Sequence, residues 1–243
     1  MKPRNSIEFK VSGKYALFSD PITRVGGEKY SYTVPSYSAL KGIVESIYWK
    51  PSIIWIIDKV RIMNEIKTQS QGVKTLKYND GKNDLSIYCY LANVSYNIQA
   101  HFEFNQYRPD LEQDWNENKH HNIAKRMVEK GGRRDVFLGT RECQGYIEPI
   151  EFNSGEGFYD NLNEFPLGTM LHGINYPDET GRNTLEVRFW QPIMKKGVID
   201  FIRPENCTII KAIREMNPKK FSIEDIRGVD EEIELLGVSE IWD

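Results

Sequence analysis

Apolar and polar residues alternate with period two from Ser6 to Ser19. Ile7, Phe9 and Val11 share one side, and Glu8 and Lys10 share the other. That period predicts a strand with one buried face. The period then changes: Leu40, Ile43, Val44 and Ile47 recur at helical spacing. They predict a helix that starts at Pro35-Ser36, runs to about Trp49 and is ended by Pro51. Ser52 to Met63 is rich in β-branched residues and predicts a central strand. Asn64 to Asp84 is polar and predicts a protruding hairpin or loop. Leu85 to Asn105 puts Tyr96, Ile98, Ala100, Phe102 and Phe104 on one face. Two strands with a turn near Ala92-Asn93 are expected there. Lys119 to Glu129 predicts a second helix, with Ile123, Met127 and Val128 as its apolar edge and Gly131 as its stop. Phe137 to Phe152 returns as a strand.

The order strand, helix, strand, strand, helix, strand is the βαββαβ pattern of ferredoxin-like domains, many of which bind RNA. A fold of this kind does not fix a function. The aromatic signature of the ordinary RRM is absent; Phe102-Glu103-Phe104 comes nearest. Base reading on an open sheet face is therefore not expected. After Phe152 the chain becomes rich in Gly, Asn and aromatics. A mostly antiparallel β unit is expected there. Thr184 to Pro192 and Gly197 to Arg203 look like paired strands turning at Lys195-Lys196-Gly197, with a further strand from Cys207 to Ile213. The expected class is α+β. Residues 1–152 form a ferredoxin-like, RRM-like domain, and 153–243 form a β-rich subdomain.

Composition changes this picture little. A chain of 243 residues, 40% hydrophobic and 28% charged, can bury a sizeable core. No apolar run reaches membrane-span length, and the N-terminus carries no apolar signal core, so a cytoplasmic protein is expected. Cys89, Cys143 and Cys207 form no CxxC pair. They suggest neither a disulfide framework nor a zinc ribbon, and are expected to be buried as small apolar residues. The net charge of −3 looks wrong for a nucleic-acid binder. Glu205 to Asp243, however, holds ten acids and five bases, so Met1 to Pro204 nets +2. Phosphate binding follows local potential rather than the total.

Candidate chemistry gathers between Asn116 and Tyr146. Two of the four histidines, His120 and His121, stand there side by side after Lys119. Lys125, Arg126, Lys130, Arg133, Arg134 and Arg141 follow, with Gly131-Gly132 between them. RNA can be cut without metal when its own 2′-hydroxyl attacks the adjacent phosphate. The hydroxyl must be oriented or deprotonated, the phosphoryl charge stabilised and the leaving 5′-oxygen protonated. Histidine suits proton transfer near neutral pH, and lysine places positive charge at the phosphate. A helix start adds backbone N–H groups. By themselves, Lys-His pairs are common and uninformative. The loop Asp20 to Pro35 offers Arg24, Lys29 and tyrosines to RNA, or is a plain connection. Lys67, Lys74, Lys77 and Lys82 fit phosphate contact and a solvated face equally well. Tyr48, taken alone, is a half-buried packing residue, and His172 a satisfied one. The acids Asp110, Glu112 and Asp114 lack a second converging cluster, so no metal and no cofactor are expected.

Four segments carry a resemblance: GGEKYSYTVPSYSALKGIVESIYWKP (Gly26 to Pro51), AHFEFNQYRPDL (Ala100 to Leu111), GGRRDVFLGTRECQGY (Gly131 to Tyr146) and LGTMLHGINYPDETG (Leu167 to Gly181). The chain resembles the CRISPR-associated RAMP endoribonuclease of type I-C systems, the Dvulg-subtype member of the fifth CRISPR-associated protein family. The match runs over nearly the whole chain and is poorest after about Met216. The resemblance implies a ferredoxin-like RNA-processing domain with a β-rich extension. It implies metal-independent cutting of the repeat hairpin of precursor CRISPR RNA, leaving a 2′,3′-cyclic phosphate. The enzyme would then stay on the 5′ handle beside other subunits of the surveillance complex. The family's catalytic Tyr, Lys and His fall on Tyr48, Lys119 and His120, which turns Tyr48 from packing residue into site residue. His121 is an additional histidine that could substitute for His120 or compete with it. The alternative is a structural crRNA-binding subunit without activity. Arg24, Lys29, Lys125, Arg126, Arg133, Arg134 and Arg141 are the expected RNA contacts.

Overall fold

A computed structural model describes residues 3–21, 23, 29–76 and 81–218. Arg24 and Lys77 lie outside the described residues, as does the acidic end of the chain beyond residue 218.

The alternating N-terminal pattern forms β1 (Ile7–Ala16). After the two-residue β2 (Lys29–Tyr30), Ser36 caps α1 (Tyr37–Ile47), its side chain accepting from the Ala39 N–H at 3.3 Å. The expected stripe Leu40, Ile43, Val44 and Ile47 is buried, together with Tyr37. Each such side chain contributes on the order of 1.5–3 kcal/mol by leaving water. Next come β3 (Ile53–Ile62), β4 (Lys67–Leu76) and β5 (Asn83–Phe104). The hairpin expected at Asn64–Asp84 forms: β4 pairs antiparallel with the first half of β5, from Lys67 opposite Ala92 to Leu76 opposite Asn83.

The expected pair of strands across Leu85–Asn105 is a single strand of 22 residues. Asn93, where a turn was predicted, takes a left-handed φ of 52° without breaking the ladder to β1, since Gly13 pairs with Val94 and Tyr15 with Ala92. Asparagine tolerates that conformation, and neighbouring strands on both sides hold the chain straight through it. The first half of β5 pairs with β4 and its second half with β3.

Helix α2 (Glu117–Glu129) and the strands β6 (Val136–Phe137) and β7 (Gln144–Pro149) complete this part. Gly131 and Gly132 stop α2 with φ of 80° and 111°, their N–H groups returning to Val128 and Met127 carbonyls. Gly139 (φ 98°) has no room for a side chain: a Cβ there would collide with the Leu17 carbonyl. Strands β3, β5, β1 and β7 lie side by side in that order, each pair antiparallel. Phe9, Val11, Trp55, Ile98, Ala100 and Phe102 fill the core with α1, and Ala124 and Val128 of α2 join it.

The remaining strands are β8 (Phe165–Pro166), β9 (Met170–Asn175), β10 (Thr184–Trp190), β11 (Ile193–Met194), β12 (Val198–Asp200) and β13 (Ile209–Glu215), with the short α3 (Pro177–Thr180) after β9. The predicted pairing of Thr184–Pro192 with Gly197–Arg203 does not form. Strand β10 lies between β9 and β13, while β12 joins the edge of the first sheet beside β3. The turn itself is real: Lys196 and Gly197 have positive φ, and Lys195 bridges Val198. It closes a much smaller hairpin, and the longer pairings on either side are set by packing remote in sequence. The molecule is therefore mixed α/β with mostly antiparallel sheets. Cys89, Cys143 and Cys207 are free and buried. Among the described residues no helix is long and apolar enough to cross a membrane.

Candidate active site and nucleic-acid interface

Helix α1 ends at Ile47, and Tyr48 caps it in extended conformation, its N–H reaching the Val44 carbonyl. The Trp55 indole donates to the Tyr48 carbonyl at 2.7 Å and fixes the backbone there. Helix α2 begins at the Asn116 cap, whose side chain accepts from the Lys119 N–H at 3.0 Å. Lys119 and His120 therefore stand in the first turn. His120 points inward against Tyr48, Phe102 and Phe104 and is 0% exposed; Tyr48 is 2% exposed.

Two groups far apart in sequence meet here. The Tyr48 hydroxyl lies 2.8 Å from His120 Nδ1. His120 Nε2 lies 2.7 Å from the Asp114 carbonyl oxygen. A carbonyl only accepts, so Nε2 carries the hydrogen. In the neutral ring Nδ1 is then an acceptor, and the Tyr48 O–H donates to it. The Asp114 carboxylate takes the Lys119 ammonium at 2.5 Å on one oxygen. It takes the Ser52 hydroxyl at 2.6 Å on the other. These donors, Lys119 first, hold the Asp114 carboxyl below the usual carboxylate range. Burial, with the negative charge of Asp114 adding to it, raises the Tyr48 phenol above its ordinary range; Arg133 pulls it the other way. Near neutral pH Tyr48 is therefore a hydrogen-bonding phenol rather than a phenolate. The Lys119 side chain is 49% exposed and that of Asp114 27%, so solvent reaches both.

A profile of the family described as CRISPR-associated protein (Cas_Cas5), Cas5d, matches residues 6–202. The chain belongs to the Cas5d family. The protein named CRISPR pre-crRNA endoribonuclease Cas5d of Mannheimia succiniciproducens is 29% identical over 222 residues, covering 81% of this chain and 94% of its own. The Thermus thermophilus protein of the same name is 28% identical over 190 residues, covering 74% of this chain and 77% of its own. A solved structure described as a CRISPR-associated protein superposes with a TM-score of 0.72 at 37% identity, covering 85% of this chain and 96% of that one.

In this Cas5d chain the basic residues divide. Arg133 and Arg134 line an open cleft of about 710 Å³ with Lys130, the Gly131-Gly132 turn and the strand residues Gln144 to Ile147. The cleft adjoins the end of α1, because the Arg134 N–H donates to the Ser46 carbonyl at 3.1 Å. Lys125 and Arg126 are exposed on α2, and Arg141 is exposed in the turn before β7. None of these three lines the cleft. Lys29 is elsewhere: its ammonium sits 4.3 Å above the Tyr88 ring. Tyr88 and Phe102 are separated by fourteen residues of β5, about 45 Å of strand. His121 is half-buried, with Nε2 3.2 Å from the Ser6 carbonyl.

Sequence reasoning missed two residues of this region. Tyr146 is 61% exposed at the cleft, an aromatic face open to a base. The sequence offers Asp114 only as a metal ligand or as one acid of a solvated loop. Its side chain is engaged by Lys119 and Ser52, and Asp110 is held by Arg108. Among the described residues no three His, Cys, Asp or Glu side chains are grouped to hold a metal ion.

Proposed function

We propose that this chain is a metal-independent endoribonuclease that cleaves the repeat hairpin of precursor CRISPR RNA by attack of the RNA's own 2′-hydroxyl. It then remains on the 5′ handle of the mature crRNA, within the type I-C surveillance complex. Family membership and the names of its relatives support the substrate class. The observation that carries the chemistry is the 2.8 Å contact between Tyr48 and His120, next to the Lys119 ammonium.

The roles follow from the groups. The 2′-oxygen attacks phosphorus, the bond from phosphorus to the 5′-oxygen breaks, and the products are a 2′,3′-cyclic phosphate and a 5′-hydroxyl. One proton moves, net, from the 2′-oxygen to the 5′-oxygen. Lys119 stabilises the charge on the phosphoryl oxygens. Tyr48 orients the 2′-hydroxyl, and His120 accepts and returns the proton. Arg133, Arg134 and Lys130 hold the backbone in the cleft, and Tyr146 stacks on a base. In this reading the β3-β5-β1-β7 sheet with α1 and α2 is a ferredoxin-like domain spanning 1–152, and 153–243 is its β-rich C-terminal subdomain.

The burial of Tyr48 and His120 favours a second reading, a crRNA-holding subunit that does not cut. One experiment separates the two. Purified protein is mixed with its repeat RNA in EDTA. A discrete cut at the 3′ base of the stem, with a cyclic phosphate end, is the expected result. Intact RNA that is still bound would leave only the holding role, and cutting only on addition of a divalent metal would replace the mechanism.

A further inference from the structure

We infer, resting on the cutting reaction proposed above, that Asp114 is its positioning residue, holding Lys119 and His120 in the arrangement in which the Tyr48 phenol takes the proton of the 2′-oxygen as it gives its own to the imidazole. Asp114 ends a short 3-10 helix, Pro109–Asp114, two residues before the cap of α2. Its backbone carbonyl accepts the Nε2 hydrogen of His120, which leaves the Nδ1 lone pair facing the Tyr48 hydroxyl. Its carboxylate binds the Lys119 ammonium and stands 3.5 Å from His120 Nε2. Ser52 ties the same carboxylate to the start of β3.

Two physical arguments give this cluster a purpose beyond packing. A lysine in the first turn of a helix faces the positive end of the helix dipole and is disfavoured there. The Asp114 carboxylate offsets that cost and fixes the ammonium beside the imidazole. Secondly, a proton arriving at Nδ1 makes an imidazolium. The groups facing it are the Tyr48 phenol, the uncharged rings of Phe102 and Phe104, the adjacent Lys119 and Asp114, with Arg133 acting on the phenol. Asp114 supplies the negative charge in this set. The arrangement follows the nucleophile–base–orienter logic of acid–base sites, with the Asp114 carbonyl third in line and its carboxylate fixing the lysine beside it.

The test is Asp114→Asn, which keeps the shape and removes the charge. Cleavage of the repeat RNA is followed in EDTA across the pH range, with kcat and KM separated. The expected result is a kcat lower by about tenfold or more and a KM that does not rise. Ser52→Ala, which removes one hydrogen bond to the carboxylate, lowers kcat about threefold. It carries the test where Asp114→Asn fails to fold. An unchanged kcat in whichever variant is folded would overturn the role. So would a raised KM with kcat preserved. Wild-type protein that leaves the RNA whole would instead overturn the cutting reading itself, and this role with it.

Discussion

Two histidines of this chain, His120 and His172, are both 0% exposed and both bonded at each ring nitrogen. In each, Nε2 faces a backbone carbonyl, that of Asp114 for His120 and that of Ile202 for His172. In each, Nδ1 faces a donor. For His172 the donor is the Arg188 guanidinium, 3.4 Å away. Burial first, with that cation adding to it, lowers its pKa to about 4. His172 is a neutral plate stacked 4.3 Å from the Tyr37 ring between α1 and β9. For His120 the donor is a phenol, and a carboxylate stands 3.5 Å from the other nitrogen. A proton meets a cation at one ring and an anion at the other. On the proposed mechanism, burial does not separate the structural histidine from the working one; the charge of the next neighbour does.

The largest effect expected from this comparison is on cleavage. His120→Ala should lower the rate by about 10²- to 10⁴-fold, the range of general acid–base help. His172→Gln should leave cleavage within a few-fold while lowering the melting temperature. Melting curves check that His120→Ala is folded. Lys119→Ala, at a half-exposed position, repeats the loss with little risk to the core. Equal losses in the two histidine variants would erase the distinction.

The next effect concerns stability and sharpens the other half of the comparison. The folded pKa of His172 lies below its ordinary 6.5. Its contribution is therefore present above pH 6.5 and is lost as pH falls toward about 4, because the unfolded chain takes up the proton first. The loss over that window should be ~3 kcal/mol by denaturant unfolding. It should vanish in His172→Gln. A wild-type stability flat from pH 6.5 to 4 would contradict this placement of His172.

The smallest effect separates chemistry from binding. Replacing Arg133 and Arg134 by Ala should weaken RNA binding and flatten its salt dependence, by roughly 0.7 in log–log slope per lost phosphate contact. His120→Ala should leave that slope unchanged. A slope that changes in both, or in neither, would mean that cleft and buried pair are not distinct parts of the site.

Much of the fold could be read along the chain. The stripe of α1 and the alternation of β1 are local, and local spacing reports them. The single strand β5 was not legible, because Asn93 has a turn residue's preference and only flanking strands overrule it. The partners of β10 and β12 were not legible either, since β10 pairs with β9 and β13 rather than across the nearest turn, and β12 pairs with the distant β3. The same division holds at the site. Lys119-His120 is a visible pair at a visible helix start. Tyr48 gained its meaning from family resemblance alone. Asp114 looked like one acid in a solvated loop, because its link to Ser52 spans 62 residues and exists only in the folded molecule. Tyr146 looked like an ordinary strand residue; alternation puts it on the outer face but does not say that a basic cleft adjoins it.

The central claim is that the RNA's own hydroxyl is the nucleophile, worked on by Tyr48, His120 and Lys119. Its most direct test is the repeat RNA carrying one deoxyribose immediately 5′ to the cut, compared with the all-ribose RNA in EDTA. Binding with unchanged affinity and no detectable cleavage is the predicted result. Cleavage of the deoxy-substituted RNA at the same position would mean that another nucleophile does the work, and would contradict the account.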